Sequence, residues 1–345
     1  MEYKLNQMKI KFVSPLPKSG CGVADYTQEL VTNLINNGID SEIISLEDWS
    51  VKNLFKLNKK INLKDDEVLH IQYPSQPYGK SLIINLLGIL KFRKFALTLH
   101  EYSQGHLFRK ISGLILCFCA KEIIFTNALE KGMVTNILPY FKEHSHLINI
   151  GSNIPLKGVN KQFIIGRKIA FFGLLRPNKG LEQFFELIKL SKERNSGYQF
   201  IIIGSRQSGS DEYFQDALKQ MQKLEVSTFI DQPADKVAEI LSTANFCYLH
   251  YPDGVSERRG SFLAAVGNNL IVLTNTGAST TSVLDKCYID CKTPQEAHKA
   301  IETTISSGNI DLDKTIINQY LLSKDWAVIS KLHLTIYNGF KKNRN

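Results

Sequence analysis

The chain has no run of about eighteen uninterrupted apolar residues, so no segment reads as a membrane span. Its N-terminus, MEYKLNQMKIKF, lacks the apolar centre of a secretory leader, which sets the expectation of a cytoplasmic protein. The six cysteines, at 21, 117, 119, 247, 287 and 291, lack zinc-ligand spacing and are expected to be reduced structural thiols. No nucleic-acid-binding module and no long basic tract is present, so the formal net charge of +9 points instead to phosphorylated ligands or an anionic membrane surface. A metal-dependent site that grips a diphosphate through Asp-x-Asp needs that sequence at a strand end. Here Asp311-Leu312-Asp313 falls after the last strand pattern and suits a helix start better.

What remains is an ordinary globular composition, 43% hydrophobic and 22% charged, in 345 residues, a length that fits two α/β domains better than one core. Strand patterns at Lys9–Ser14, Ile43–Leu46, Val68–Tyr73, Lys94–Leu99, Glu122–Thr126 and His146–Ile150 alternate with stretches able to hold helices. That order predicts a parallel, doubly wound sheet. After the first strand, PLPKSGCGVADYTQEL brings Gly20 and Gly22 ahead of an amphipathic helix over Val23–Asn36, with Asp25 suited to its positive first turn. The two glycines serve either a plain tight turn or close approach to a ligand. His70 sits inside an apolar strand and reads as core. His100, just past a strand end beside Glu101, reads either as core or as a site residue.

The stretch Gly151–Gln162 reads as a linker, after which the alternation restarts. A strand over Lys168–Phe172 leads into GLLRPNKG, where Arg176 and Lys179 open a helix over Gly180–Ser191. Gln199–Ile203 is the next strand, and a helix over Lys236–Ala244 feeds a strand over Phe246–His250. The following stretch, YPDGVSERRGSFLAAVGNNLIVLTNTG, is strand, basic loop, short helix, strand. In such a βαβ unit, loop amides and a helix N-terminus can hold an anion at a strand's C-terminal end. Arg258 and Arg259 add fork-shaped positive charge suited to phosphate oxygens, and Ser261 adds a hydroxyl. The competing reading is a surface loop whose arginines pair with acidic neighbours. In the first half, Leu90–Phe95 and His106–Ile111 interleave aromatics with basic residues, as a face that meets anionic headgroups would, or as core aromatics beside solvated charges.

Taken together, these segments resemble the GT-B glycosyltransferases of the large retaining family 4 over nearly the whole chain. PLPKSGCGVADYTQEL resembles that family's opening loop and helix, LTLHEY its histidine segment, and FFGLLRPNKGLEQF the loop that opens its second domain. AEILSTANFCYLHYPDG resembles the approach to its donor site, and SKDWAVISKLHLTIYNGF its C-terminal return helix. The resemblance implies two facing Rossmann-like domains with an interdomain cleft: residues 1–155 for the acceptor, 156–322 for a nucleotide-sugar donor, and 323–345 returning to the first domain. It implies His100, Lys179 and Arg258 as catalytic residues. Gly20, Gly22, Gly173, Arg176, Lys179, Gly254, Ser256, Glu257, Arg258, Arg259 and Ser261 would bind the donor. Asp25, Tyr26, His100 and Glu101 would bind a glycan or lipid-linked acceptor, with no cofactor and no metal.

One departure is plain. The family's donor motif carries two glutamates, and at their positions stand Val255 and Leu263; the arginine usual after the loop glycine is replaced by Leu174. The expected activity is sugar transfer with retention in bacterial surface polysaccharide synthesis, peripheral on the inner face of the membrane. The missing glutamates keep open a non-catalytic GT-B-like subunit that binds a partner transferase. A nucleotide-sugar isomerase of related fold lacks its expected acid/base carboxylates here.

Overall fold

A computed structural model describes residues 8–17, 21–100, 102, 105–206, 209, 211–278 and 280–342, the side chains of 341 and 342 aside. The chain divides into two compact units, Met1–Gly151 with Ser323–Asn345, and Ser152–Leu322.

The first unit runs β1 (Lys9–Val13), α1 (Gly22–Asn36), β2 (Asp40–Ile44), α2 (Leu54–Ile61), β3 (Glu67–Tyr73), α3 (Ile83–Leu90), β4 (Phe95–Leu99), α4 (Leu107–Cys119), β5 (Glu122–Phe125), α5 (Ala128–Ile137) and β6 (Ser145–Leu147). The six strands are parallel in the order β2-β1-β3-β4-β5-β6. Every residue of β3 and β4 is buried, as expected for strands covered on both faces. Alternate residues feed two cores. Val13, Leu69, Ile71, Leu97 and Phe125 pack with Leu57, Leu87 and Leu116 of α2, α3 and α4, while Phe12, Val68, Ala96 and Ile124 face the other side.

The second unit runs β7 (Lys168–Leu174), α6 (Leu181–Glu193), β8 (Gln199–Ser205), α7 (Asp211–Lys223), β9 (Ser227–Ile230), α8 (Ala234–Leu241), β10 (Phe246–Tyr248), α9 (Gly260–Gly267), β11 (Ile271–Thr274), β12 (Ile289–Asp290), α10 (Pro294–Ser307) and α11 (Lys314–Leu322). Its parallel order, β12-β11-β10-β7-β8-β9, reverses direction between β7 and β10. Outside the carboxyl ends of two such neighbours, a doubly wound sheet leaves a crevice that ligands use. The last helix, α12 (Trp326–Lys342), packs on α1 of the first unit, where Ile329, Ile336, Tyr337 and Phe340 close the second face of that sheet.

Several boundaries differ from the sequence reading. Strand β2 begins at Asp40 rather than Ile43, because the edge strand pairs Lys9 with Asp40 and stacks its polar residues as ion pairs, Lys9 with Asp40 at 3.5 Å and with Glu42 at 3.1 Å. Strand β9 escapes the periodicity because it is a half-exposed edge strand, whereas helix α7, not singled out from the sequence, does bury Phe214, Ala217 and Met221 at helical spacing. The stretch read as a linker is docked on the second unit: the Gly158 N–H donates to the Gly267 carbonyl at 2.8 Å, and the Asn268 amide donates to Pro155 O at 3.1 Å. Asp313 does start a helix, its carboxylate accepting from the N–H groups of Thr315 and Ile316. All six cysteines are buried and free.

Candidate active site

In the second unit, the loops after β7 and β10 meet at the sheet's reversal point. The loop after β7 ends at Gly180, in the left-handed region at φ +83°, which opens α6. A β-carbon on Gly180 would stand 2.5 Å from the carbonyl oxygen of His250 and 2.9 Å from its nitrogen. The loop after β10 is held from behind by Asn275: its Oδ1 accepts from the Tyr251 N–H at 2.9 Å, and its amide donates to Tyr251 O at 2.7 Å. Gly254, at φ +86°, lies so close to the main chain of Gly277 that no side chain fits there. Both loops are therefore fixed by backbone contact rather than by their charged residues.

This frame brings cations together. Lys179 is half-buried, and its ammonium is pushed below the ordinary lysine range, first by burial, then by Arg176 and Arg259, with Asp253 opposing. Arg259 pairs with the Asp253 carboxylate and lies over the Tyr251 ring at 4.7 Å. The Nε–H groups of Arg176 and of Arg259 are buried without a hydrogen-bond partner among the described residues. Lys179 thus feels two further cations and one carboxylate, and Arg176 and Arg259 each keep a buried donor in reserve, as a site for a polyanion requires.

Other expected donor residues fall differently. Gly173 sits within β7, paired with Gly204 of β8, and Ser256 is buried with its carbonyl accepting from the Arg259 N–H. Glu257 is half-buried, and its carboxylate adds to the burial that holds the Tyr320 hydroxyl of α11 well above its usual range. Ser261 does not stand free at the helix start. Its Oγ is bonded to Tyr251 Oη at 2.7 Å, and the Phe262 N–H also reaches that hydroxyl, so the opening of α9 is engaged by Tyr251. Arg258 is half-buried in the same loop, and the charges that act on Lys179 include that of Arg259. Val255 and Leu263, at the positions of the absent glutamates, are buried in the core. Asp253, Tyr251 and Asn275 carried no assigned role in the sequence reading. The Pro-Asp-Gly turn is the signal that could have singled out Asp253.

In the first unit, His100 follows β4, with its N–H donating to Tyr73 O at 2.8 Å and its Nε2 bonded to Gln72 Oε1 at 2.7 Å. Burial, and then His333, push its imidazole down to about 3, so it is neutral at pH 7. Tyr26 meets it edge-on at 5.0 Å. Tyr26 is itself core, contrary to the expected acceptor role: only 2% exposed, it is covered by Trp326 at 5.2 Å and bonded to His333 Nε2 at 3.4 Å. His70 is core as well, bonded to Tyr337 Oη and Thr98 Oγ1 at 2.5 and 2.7 Å. Asp25 lies half-buried in the first turn of α1, where burial raises its carboxyl pKa. Gly22 is exposed, with nothing within 4 Å of where a β-carbon would stand. Gly20 and Glu101 lie outside the described residues. Among the described residues no group of three or more His, Cys, Asp or Glu converges as metal ligands would, and no helix is long and apolar enough to cross a membrane.

No protein-family model matches the chain, and no curated protein matches it in sequence. Solved structures do. A glycosyltransferase from Rickettsia africae superposes with a TM-score of 0.67 at 14% identity, over 98% of this chain and all of the other. HepE of Anabaena, in complex with UDP and glucose, gives 0.65 at 12% identity, over 96% of this chain and 100% of that one. The trehalose-6-phosphate synthase OtsA gives 0.66 at 9% identity, over 95% and 98%. The chain has their α/β fold, GT-B, each of its two units carrying a parallel, doubly wound sheet.

Proposed function

We propose that the protein transfers a sugar from a nucleoside-diphosphate sugar to a glycan or lipid-linked acceptor, with retention of anomeric configuration, in the assembly of a bacterial surface polysaccharide. The observation that carries this reading is the meeting of Arg176, Lys179 and Arg259, with one carboxylate, at the reversal point of the second unit's sheet. The GT-B folds of HepE, solved with UDP and glucose, and of OtsA support it. In this reading the second unit holds the donor, and its cations stabilise the charge that builds on the diphosphate as the bond from the anomeric carbon to phosphate oxygen breaks. The acceptor oxygen attacks from the same face, and its proton passes to the departing phosphate. No pair of enzyme carboxylates is needed, in contrast to glycoside hydrolysis. Asp25, His100 and Glu101 of the first unit serve the acceptor side, with neutral His100 as a hydrogen-bonding group rather than a proton donor. Because side-chain cations supply the neutralisation, turnover is expected to persist in EDTA; abolition by EDTA and rescue by Mg²⁺ or Mn²⁺ would contradict that part.

A second reading, a non-catalytic subunit that binds a partner transferase, draws on the buried Val255 and Leu263 at the glutamate positions. Release of nucleoside diphosphate from a panel of nucleotide sugars without acceptor separates the two. A transferase releases it slowly from at least one donor, and the anomer of its product, read by proton NMR, tests retention. A binding subunit releases none.

A further inference from the structure

Helix α4 departs from the usual rule that an all-round apolar helix is buried. Its Ser112, Gly113, Leu116, Cys117 and Cys119 pack inward, yet Leu107, Phe108, Ile111, Ile115 and Phe118 face solvent, with Leu107 73% and Phe118 58% exposed. At 100° per residue those five fall within one arc of about 100°, so they form a single stripe, with Arg109 and Lys110 on either side of it. The stripe continues beyond the helix: Phe118 meets the ring of Phe92 at 5.8 Å, and Ile89, Leu90 and Phe92 at the end of α3 are likewise exposed. An apolar surface of this extent on an otherwise charged domain marks an interaction site.

Beside Phe92 a cavity of about 430 Å³ opens at the first unit's surface, bordered by Leu90 and Phe340. Its lining carries Lys64, Lys91, Arg93, Lys94 and Lys121 against one carboxylate, Asp65. The nearby Glu67 is taken by buried Lys11 at 2.7 Å. Arg93 is preset: its backbone is left-handed at φ +57°, its guanidinium donates to Ala120 O at 2.8 Å, and it lies between the rings of Phe92 and Tyr140 at 5.8 and 5.6 Å. Lys121 lies over the Phe340 ring at 4.6 Å. Such a concentration of like charge in a half-enclosed space favours an anion, and phosphate matches the donor set.

We propose that this face docks on an anionic bilayer, the exposed stripe of α4 with Ile89, Leu90 and Phe92 entering the headgroup–acyl boundary while a lipid phosphate sits in the basic cavity. Charge complementarity selects the occupant. A soluble phosphate would use the cavity but leave the stripe bare, and a second copy of this basic face would oppose like charges. The inference does not depend on sugar transfer, because vesicle binding is measured without a donor.

The experiment is flotation of the full chain with phosphatidylglycerol or phosphatidylcholine vesicles at 0.1 M salt. Binding to phosphatidylglycerol is expected at least about tenfold above phosphatidylcholine. With a cation near an anionic surface contributing roughly fivefold, the double substitution Lys91→Glu/Lys94→Glu should lower it by more than about 25-fold. Independently, Ile115→Ser/Phe118→Ser keeps every charge and is expected to lose at least about tenfold. Equal binding to both lipids, binding to neither, or wild-type binding by either variant would overturn the proposal. So would pyrophosphate binding in calorimetry without any vesicle binding, which would assign the cavity to a free phosphate. A dimer dissolved by Ile115→Ser/Phe118→Ser would assign the stripe to a second copy.

Discussion

Gly180 and His250, seventy positions apart in the chain, are in main-chain contact, and that contact brings the loop of Lys179 against the loop of Arg259. A β-carbon at Gly180 would meet both the left-handed backbone and the His250 carbonyl. Gly180→Ala is expected to cost on the order of 2–4 kcal/mol, combining left-handed strain with overpacking. The corresponding fall in melting temperature is roughly 5–15 °C for a unit of this size. Gly22→Ala, in open space, should melt as the wild type does. Equal melting of the two variants would dissolve the claim that backbone contact sets the site.

The pH dependence of anion binding carries the signature of Lys179. Its folded pKa is lowered from 10.5 by burial and by Arg176 and Arg259, so its charge is lost at a lower pH than that of an ordinary lysine. A bound diphosphate favours the charged form, so affinity is highest below the lowered pKa and falls as pH rises through it. Calorimetry in two buffers of different ionisation enthalpy should detect proton uptake on binding in that window. Lys179→Arg, charged throughout, should abolish the uptake. Uptake that persists in Lys179→Arg would point to a different group.

Acid stability tests the buried histidines. His100 and His333 are pushed down to about 3 and about 4, and His70 well below 6.5, in each case mainly by burial. Neutral when folded and near 6.5 when unfolded, they leave stability intact above that pH, and it falls as pH drops from 6.5 towards 4. At pH 5 the loss is about 2 kcal/mol for each of His100 and His333. Both tryptophans, Trp49 and Trp326, lie in the first unit, so urea unfolding followed by tryptophan fluorescence at pH 7.5 and pH 5 reports it selectively. A flat stability over that range would mean the histidines are hydrated.

The alternation of buried strands with helices was legible because β4, β7 and β11 are mostly apolar and β3 breaks its apolar residues only with Glu67, His70 and Gln72. Lys179 and the Arg258-Arg259 pair were legible as candidates because they sit at strand ends in Gly-containing loops. Sequence could not choose between those two arginines: the ion pair of Arg259 with Asp253 and its seat on Tyr251 are set by the turn, not by spacing. Nor could it show Tyr26 as core, because its cover comes from His333, 307 residues away. Helix α4 misleads in the same way. Its composition is that of a buried helix, and only the packing reveals the outward stripe.

The most direct measurement is a calorimetric titration of UDP and of GDP into the wild type and into Arg176→Ala, Lys179→Ala and Arg259→Ala, with His100→Ala as the control in the first unit. One-to-one binding of at least one nucleotide is expected. Each cation variant should weaken it by roughly 1.5–3 kcal/mol, about ten- to 150-fold, and His100→Ala should leave it unchanged. Affinity unaltered in all three cation variants, or no binding of either nucleotide to the wild type, would contradict the assignment of this site to a nucleoside diphosphate.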